Sequence, residues 1–252
     1  MNTQGENELK SAITFLQRGE SGTAVVLLER AAKMGNSDAM CVLAEVAYQR
    51  GDAQSETYWW QRAAERGNPA AEYELGRQEQ EAGHLDTARI LYLKAANQGM
   101  ALAMNNLGAI AQKAGDEAAA RDWYRKAAER GLPLGMQNFA CLIWNEGKAD
   151  DAKLWFARAA DLGDVPSMTH LGWILGQEGR LSEARDLLLR AARLGEVDAM
   201  FKLGVLSEEA NDIDAAWQWY KAAGDAGHQQ ALVASYRLAL IVAAGNDSSN
   251  RY

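Results

Sequence analysis

Apolar and polar positions follow a helical period along the chain. Ala103, Met104, Leu107 and Gly108 fall at positions i, i+1, i+4 and i+5, which share one face of an α-helix. The next stretch, residues 120–128, carries an alanine, an aromatic pair and then a double alanine. Bulky side chains beside small ones are what interlocking helices require. The pattern therefore predicts two short amphipathic helices in succession.

This two-helix pattern recurs every 32 residues. A double alanine, degraded to Ala-Gly in the last copy, precedes a glycine in each of seven copies, at Gly35, Gly67, Gly99, Gly131, Gly163, Gly195 and Gly227. A second series runs through Gly19, Gly51, Gly83, Gly115, Gly147 and Gly179 and breaks at Asn211. Glycine readily adopts the left-handed conformation that ends helices, so both series predict turns. A final lone helix is predicted over about residues 229–243.

Three further sets of residues support this interpretation; each set recurs at one position of the repeat, which we call a column. Glycines in the middle of first helices predict a close approach by a neighbouring helix, because glycine there is otherwise unfavourable; they are Gly76, Gly108, Gly172 and Gly204. The three prolines are predicted to lie at the starts of first helices, where a missing amide is tolerated; they are Pro69, Pro133 and Pro166. One column that otherwise holds leucine is predicted to lie in the core: Trp59, Trp123, Trp155 and Trp219.

The run from Trp123 to Gly131 and the recurring Leu-Gly pairs resemble the Sel-one-like repeat, a close relative of the tetratricopeptide repeat. The resemblance covers residues 5–244, although the short spacing from Leu107 to Ala120 resembles the tetratricopeptide pattern instead. It implies an all-α fold, a right-handed α-α superhelical solenoid of seven 32-residue helix-turn-helix repeats plus a C-terminal capping helix. It also implies an adaptor or scaffold with no enzymatic activity of its own.

The predicted organisation is one solenoid domain over residues 1–244 and a polar, disordered tail over residues 245–252. The final helix is unusually apolar and has no second helix to cover it. Such a helix is either a cap or an interface for self-association or a partner, and a homodimer through it is one possibility.

The composition limits which class of binding partner and which cellular compartment the sequence favours. A net charge of −8 and a pI near 5.0 disfavour binding to nucleic acid and fit a basic or neutral protein partner. No apolar run predicts a membrane span, and the polar N-terminus does not resemble a secretory signal. Two distant cysteines, Cys41 and Cys141, predict neither a disulfide framework nor a zinc site. We therefore expect a cytoplasmic, bacterial protein, although removal of an export signal stays open.

The sequence contains no recognisable catalytic motif. His84, His170 and His228 lie in separate units without metal-ligand spacing, and there is no nucleophile or phosphate-loop motif. We predict no catalytic residue, no metal and no cofactor. An enzyme with an unrecognised site remains the least favoured alternative.

The resemblance implies a concave groove lined by first helices, where columns without a consensus mix aromatic and amide side chains suited to gripping a peptide. The candidate partner-binding residues are Tyr73, Arg77, Asn105, Asn106, Gln112, Gln137, Asn138, Trp144, His170, Trp173 and Phe201. They are alternatively ordinary helix surface. Trp217, in a mostly polar column, is either a secondary anchor or packs under the last helix. The leading function is peptide or protein binding; an alternative is an immunity-type inhibitor of one basic partner.

Overall fold

The computed structural model describes the backbone of residues 3–249 and the side chains of residues 3–240. Across this range the chain forms fifteen α-helices and no strand. None of the described helices is both long enough and apolar enough to cross a membrane. The chain divides into two compact units between Arg130 and Gly131, which are described in turn.

The first unit consists of four helix pairs. In each pair the two helices pack along their length, and the second helix also packs on the first helix of the next pair, as in a solenoid. Their bounds are α1 Thr3–Gln17, α2 Ser21–Lys33, α3 Ser37–Gln49, α4 Ala53–Ala64, α5 Pro69–Glu81, α6 Leu85–Asn97, α7 Ala101–Lys113 and α8 Glu117–Glu129.

The second unit consists of three such pairs and a final helix, α15, that packs on α14. Their bounds are α9 Pro133–Asn145, α10 Ala149–Asp161, α11 Val165–Gln177, α12 Leu181–Arg193, α13 Val197–Glu209, α14 Ile213–Asp225 and α15 Gln229–Ser249. The predicted all-α fold of seven helix pairs plus a terminal helix is thereby confirmed.

The helix boundaries confirm the predicted turns. The glycines of both series have positive φ, and where the second series breaks, Asn211 adopts φ 59°. Asparagine is among the few residues that tolerate this region. Pro69, Pro133 and Pro166 all lie in the first turn of a first helix, as predicted.

Each pair is locked by a large buried side chain of its second helix. We call these side chains the wedge column: Leu28, Trp60, Tyr92, Tyr124, Phe156, Leu188 and Tyr220. The mid-helix glycines receive them: a Cβ on Gly108 would lie 2.6 Å from the Tyr124 ring, and one on Gly204 would lie 2.5 Å from the Tyr220 ring. Real Cβ atoms do not come this close, so the predicted close approach is confirmed.

The column of Trp59, Trp123, Trp155 and Trp219 is half-buried, whereas the sequence placed it in the core. The wedge column beside it fills the space within each pair, so these indoles lie towards the surface; the Trp155 ring contacts Phe139 of the first helix of its pair at 5.6 Å between centroids. Trp123 lines a cavity with Arg89 and Leu93 of the preceding second helix. Cations cover two of the rings: Lys126 Nζ lies 4.2 Å from the Trp123 centroid, and Arg158 Cζ lies 4.7 Å from that of Trp155.

Helix α15 extends to Ser249, beyond the predicted end near residue 243. The described part of the predicted tail, residues 245–249, continues this helix. Residues 250–252 lie outside the described range, and the domain boundary at residue 244 stays a prediction. On α15, Ala231 and Leu238 are buried against α14. Four large apolar side chains are 39 to 72% exposed: Leu232, Val233, Tyr236 and Leu240.

Candidate functional site on the first helices

The second unit joins two of the predicted binding residues, Trp173 and Phe201, in one network of contacts. The network spans α11, α13, α14 and α15. We call it the first-helix network; its members are Trp173, Asp198, Phe201, Lys202, Glu208, Tyr220, His228 and Arg237.

Lys202 connects α11 to α13. Its ammonium group lies 4.9 Å from the centroid of the half-buried Trp173 ring, which is a cation–π contact. The same Nζ atom lies 3.2 Å from Oδ2 of Asp198, one turn earlier on α13. The cation therefore holds the Trp173 ring in place and leaves part of its surface accessible.

Phe201 connects α13 to the start of α15. Its ring stacks on His228 at 4.4 Å between centroids and contacts the Tyr220 ring at 5.7 Å. His228 caps α15, because its Nδ1 accepts a hydrogen bond from the Ala231 amide at 3.1 Å. That bond places the proton of the neutral ring on Nε2, which lies 3.9 Å from Asp198 Oδ1.

Glu208, near the end of α13, connects the network to α14 and α15. One of its oxygens accepts a hydrogen bond from the Tyr220 hydroxyl at 2.9 Å. Arg237 of α15 donates to both carboxylate oxygens, at 2.6 and 2.7 Å. Burial raises the pKa of the Tyr220 phenol, and the hydrogen bond to the Glu208 carboxylate raises it further. The tyrosine therefore stays a neutral donor.

Other predicted residues of this unit lie on the same series of first helices. Trp144 of α9 is 41% exposed and occupies the repeat position that Glu208 has on α13. His170 of α11 is exposed; its ring stacks on Phe156 at 5.0 Å, and its Nδ1 donates to the Pro166 carbonyl at 2.8 Å. Gln137 and Asn138 are half-buried.

In the first unit, the predicted residues Tyr73 and Arg77 contact neighbours within the protein. The Tyr73 ring contacts that of Tyr92 at 5.7 Å. Arg77 Nε lies 2.9 Å from Glu74, and its guanidinium also pairs with Glu81. Hydrogen bonding to Glu74 is the main reason that the pKa of Arg77 is raised. This cation is already neutralised by its own helix.

The amide side chains of the first unit differ in how accessible they are. Asn105 is only 5% exposed, which leaves too little surface for a partner, so we omit it from the proposed site. Asn106 lies near the Tyr92 hydroxyl, which is buried and has no partner within hydrogen-bond geometry in the described part of the chain, and burial is the main cause that raises the pKa of Tyr92. Gln112 accepts from the Tyr124 hydroxyl at 2.9 Å.

Two residues outside the predicted set belong to these surfaces. Tyr48 is exposed and occupies the same repeat position as Gln112 and Trp144. Its repeat column was the signal that could have identified it. Lys202 lies next to Phe201 in a predicted variable column, but its contact with Trp173 comes from the adjacent helix and has no sequence signal.

Trp217 on α14 is 37% exposed. In two earlier repeats the equivalent position bonds to the next first helix or its C-cap: Lys153 Nζ lies 2.7 Å from Glu178 and Arg185 lies 3.3 Å from Ser207 Oγ. After Trp217 the next first helix is the apolar α15. An indole suits that neighbour better than a cation does, which favours packing beside α15 over a separate anchor.

Neither cysteine has the environment of a nucleophile, which requires a lowered pKa. Burial, followed by the charges of Asp38 and Glu45, raises the pKa of Cys41 to about 12. Burial and the charge of Asp164 raise the pKa of Cys141. Among the described side chains, no group of three or more His, Cys, Asp or Glu residues is arranged to hold a metal ion.

Family models match most of the repeats. A tetratricopeptide repeat model matches residues 9–72 and 169–231, together half of the chain, and a second one matches residues 101–130. A Sel1 repeat model, describing the Sel-one-like unit, matches residues 69–100 and 148–164. The chain therefore belongs to the tetratricopeptide repeat family, with Sel1 repeats in two of its segments. No curated protein matches the chain significantly.

Solved structures share the fold at low sequence identity. A protective antigen of uropathogenic Escherichia coli with an SLR fold superposes with a TM-score of 0.80 at 23% identity, over 92% of this chain and 56% of the antigen. A Sel1 repeat protein from Oxalobacter formigenes gives 0.72 at 22% identity, over 86% of this chain and 99% of that protein. YrrB, a tetratricopeptide repeat protein with an unusual peptide-binding site, gives 0.52 at 21% identity, over 70% and 97% of the two chains.

Repeat scaffolds of these families commonly mediate protein–protein interactions and are typically not enzymes. The chain spans little more than half of the Escherichia coli antigen, so that protein's activity is not transferred to it.

Proposed function

We propose that this protein binds an extended peptide or protein segment on the first helices of its second unit. The observation that carries the proposal is the first-helix network, which holds the Trp173 ring against Lys202 and the Phe201 ring against His228 and Tyr220. Side chains held in this way lose little entropy when a partner binds. Aromatic anchors that are already ordered are typical of binding hot spots.

The chemistry of this surface suits a peptide with apolar side chains and exposed backbone amides. Trp144 and Trp173 supply apolar area, and the carboxylates of Asp198 and Glu208 accept hydrogen bonds. Lys202 and Arg237 are already paired with these carboxylates, so the surface does not select an acidic partner. The net charge of −8 favours a neutral or basic one.

The test begins with selection of peptides from a random phage-displayed library on the intact protein. Dissociation constants are then measured for the wild type, for the double variant Trp144→Ala/Trp173→Ala and for Trp217→Ala as a matched control. We expect the double variant to bind at least about tenfold more weakly, as hot-spot aromatics usually do. The control should bind like the wild type. Equal affinities for wild type and double variant, or failure to select any peptide, would refute the proposal.

Finer assignments follow from the same proposal. The likeness to YrrB, a tetratricopeptide repeat protein with an unusual peptide-binding site, supports a peptide ligand. A narrower version is an inhibitor of immunity type that forms a tight complex with one basic partner. The raised thiol pKa values support the assignment as a non-enzyme. A cytoplasmic, bacterial setting and the exclusion of nucleic acid as a partner stay predictions.

Self-association through α15 is a second candidate, because its exposed face is apolar and nearly uncharged. In the 21 residues of α15 the charged side chains are Arg237, already paired with Glu208, and Asp247. Two copies of an acidic protein can therefore approach each other here without charge repulsion. An isologous pair would cover Val233, Tyr236 and Leu240.

Sedimentation velocity at increasing protein concentration tests this candidate. We expect the wild type to dimerise and the variant Tyr236→Glu/Leu240→Glu to remain monomeric at the same concentrations. Leu154→Glu, which alters an exposed leucine elsewhere in the same unit, is the control and should dimerise like the wild type. A wild type that stays monomeric at all concentrations rules out the homodimer and leaves the peptide site unaffected.

A further inference from the structure

A cavity of about 640 Å³ opens between α10, α11 and α12 in the second unit. We call it the α10–α12 groove; its apolar wall consists of Leu154, Ala157, Leu171, Leu175 and Leu187, and its polar rim of Lys153, Arg180, Ser182, Glu183 and Asp186. It lies between two second helices, so it is separate from the first-helix network.

The equivalent position in the first unit shows what is missing here. Between α6 and α8, Trp123 and Leu93 line a cavity of about 260 Å³, and a separate cavity of about 650 Å³ adjoins it at Arg89, Ile110 and Ala114. In the α10–α12 groove the residue in the tryptophan column is Leu187, and Ala157 stands where α6 has Leu93. Two smaller side chains thus leave room that an indole occupies in the equivalent groove.

Apolar surface is left open as a result. Leu154 is 60% exposed beside the groove, while Leu171 and Leu175 close its floor. A concave apolar surface with a few polar groups at its rim is the usual form of a recognition pocket.

The rim selects the charge of the occupant. Lys153 is paired with Glu178 at 2.7 Å, and Arg180 with Glu183 at 2.6 Å, so both cations are neutralised. Within the described part of the chain, Asp186 has no cation within ion-pair distance. The remaining negative charge at this rim favours a lysine or arginine of the occupant.

We propose that the α10–α12 groove is a second binding site, which takes an aromatic side chain of a partner protein together with a neighbouring lysine or arginine. The aromatic ring fills the volume that Trp123 fills in the α6–α8 groove, and the cation pairs with Asp186. This site does not depend on the peptide proposed for the first-helix network.

The probe is a capped, alanine-rich helical peptide that carries one tryptophan and a lysine four residues later. Leucine methyl resonances of the intact protein are followed by NMR during titration with this peptide. We expect saturable shifts at Leu154 and Leu187. Leu187→Trp should fill the groove with the chain's own indole and weaken binding at least about tenfold. Four other repeats carry tryptophan in this column, so the variant should keep the wild-type melting temperature.

Two further variants separate the contribution of the groove volume from that of the Asp186 charge. Leu91→Trp makes the same substitution in the same column of α6 and should leave binding unchanged. Asp186→Asn should abolish the preference for the lysine peptide over a glutamine analogue, a preference we expect to be about twofold for an exposed ion pair. Unsaturable shifts, or equal binding by Leu187→Trp, would overturn the proposal. So would groove shifts that appear on raising the protein concentration alone, since they would assign the groove to a second copy of the chain.

Discussion

Helices α13 and α15 carry the same repeat register but meet different neighbours. On α13, Gly204 receives the Tyr220 ring of its second helix. On α15 the same register position is Tyr236, and its side chain is largely exposed. A tyrosine there occupies the volume that a wedge side chain would need. The small residue in the first helix is therefore needed where a wedge side chain packs against it, and among the described residues no such side chain covers Tyr236.

The comparison is tested most strongly by substituting alanine at each of the two positions separately. Gly204→Ala places a methyl group against the Tyr220 ring and should destabilise the protein by about 2 kcal/mol, because overpacking outweighs the higher helix propensity of alanine. Urea denaturation followed by circular dichroism measures the loss.

Tyr236→Ala is the matched substitution on α15. It removes a much larger group, yet we expect a change below about 0.5 kcal/mol, because the ring is mostly in solvent. If Tyr236→Ala proves as damaging as Gly204→Ala, the interpretation that no wedge side chain packs on Tyr236 is wrong.

A second test uses the column one turn earlier, which holds methionine in most first helices. On α5 this position is Glu72, which is buried and accepts a hydrogen bond from Gln98 Nε2 at 2.8 Å. Burial raises the pKa of Glu72, opposed by the charge of Lys94 and by the Gln98 hydrogen bond. Glu72→Met should stabilise the protein by about 1 kcal/mol at pH 7, because a buried charge is replaced by a well-packed apolar group.

The pH dependence of that gain has a defined sign. The folded carboxyl binds its proton more tightly than the unfolded one, so the contribution of Glu72 to wild-type stability falls as the pH rises from 4.5 through its raised pKa. The advantage of Glu72→Met should therefore grow from pH 4 to pH 7. At the equivalent position of α15, Leu232→Glu should show little pH dependence, since that side chain reaches solvent. Equal pH profiles for the two positions would contradict the comparison.

The last test concerns the Tyr220 hydroxyl, which joins α14 to Glu208 of α13. Tyr220→Phe removes the hydrogen bond to Glu208 and should cost about 1 kcal/mol or less. Phe156 occupies the same column, so the ring itself is accommodated without a hydroxyl. In Tyr220→Phe, amide hydrogen exchange should become faster in α15 than it is in the wild type, whereas exchange in α10 should stay the same. Unchanged exchange throughout α15 would mean that the Glu208–Arg237 pair holds the helix without help from Tyr220.

The features that the sequence predicted correctly are governed by local geometry. Turn glycines, first-turn prolines and the close approach at Gly204 each depend on backbone conformation or on the absence of one Cβ atom. Because these constraints recur with the repeat, a single period was enough to predict the helix pairs and their order.

The candidate site was predicted less well because it depends on contacts between repeats. The variable columns pointed to Trp173 and Phe201, but they gave no sign that Lys202 covers one ring and His228 the other. They also did not show that Asn105 is buried. Burial of a side chain in a solenoid depends on the size of residues one repeat away, which no single helix pattern contains.

The constant length of the repeat has a consequence for how such a gene can change. A matched glycine and ring, such as Gly108 and Tyr124, lie within one pair, between two equivalent turns. Unequal crossing-over at those turns would duplicate or delete both partners together and rejoin the reading frame at the same kind of junction. Repeat number can thus drift between lineages while every copy keeps a fitting interior, and selection is left free to act on the surfaces.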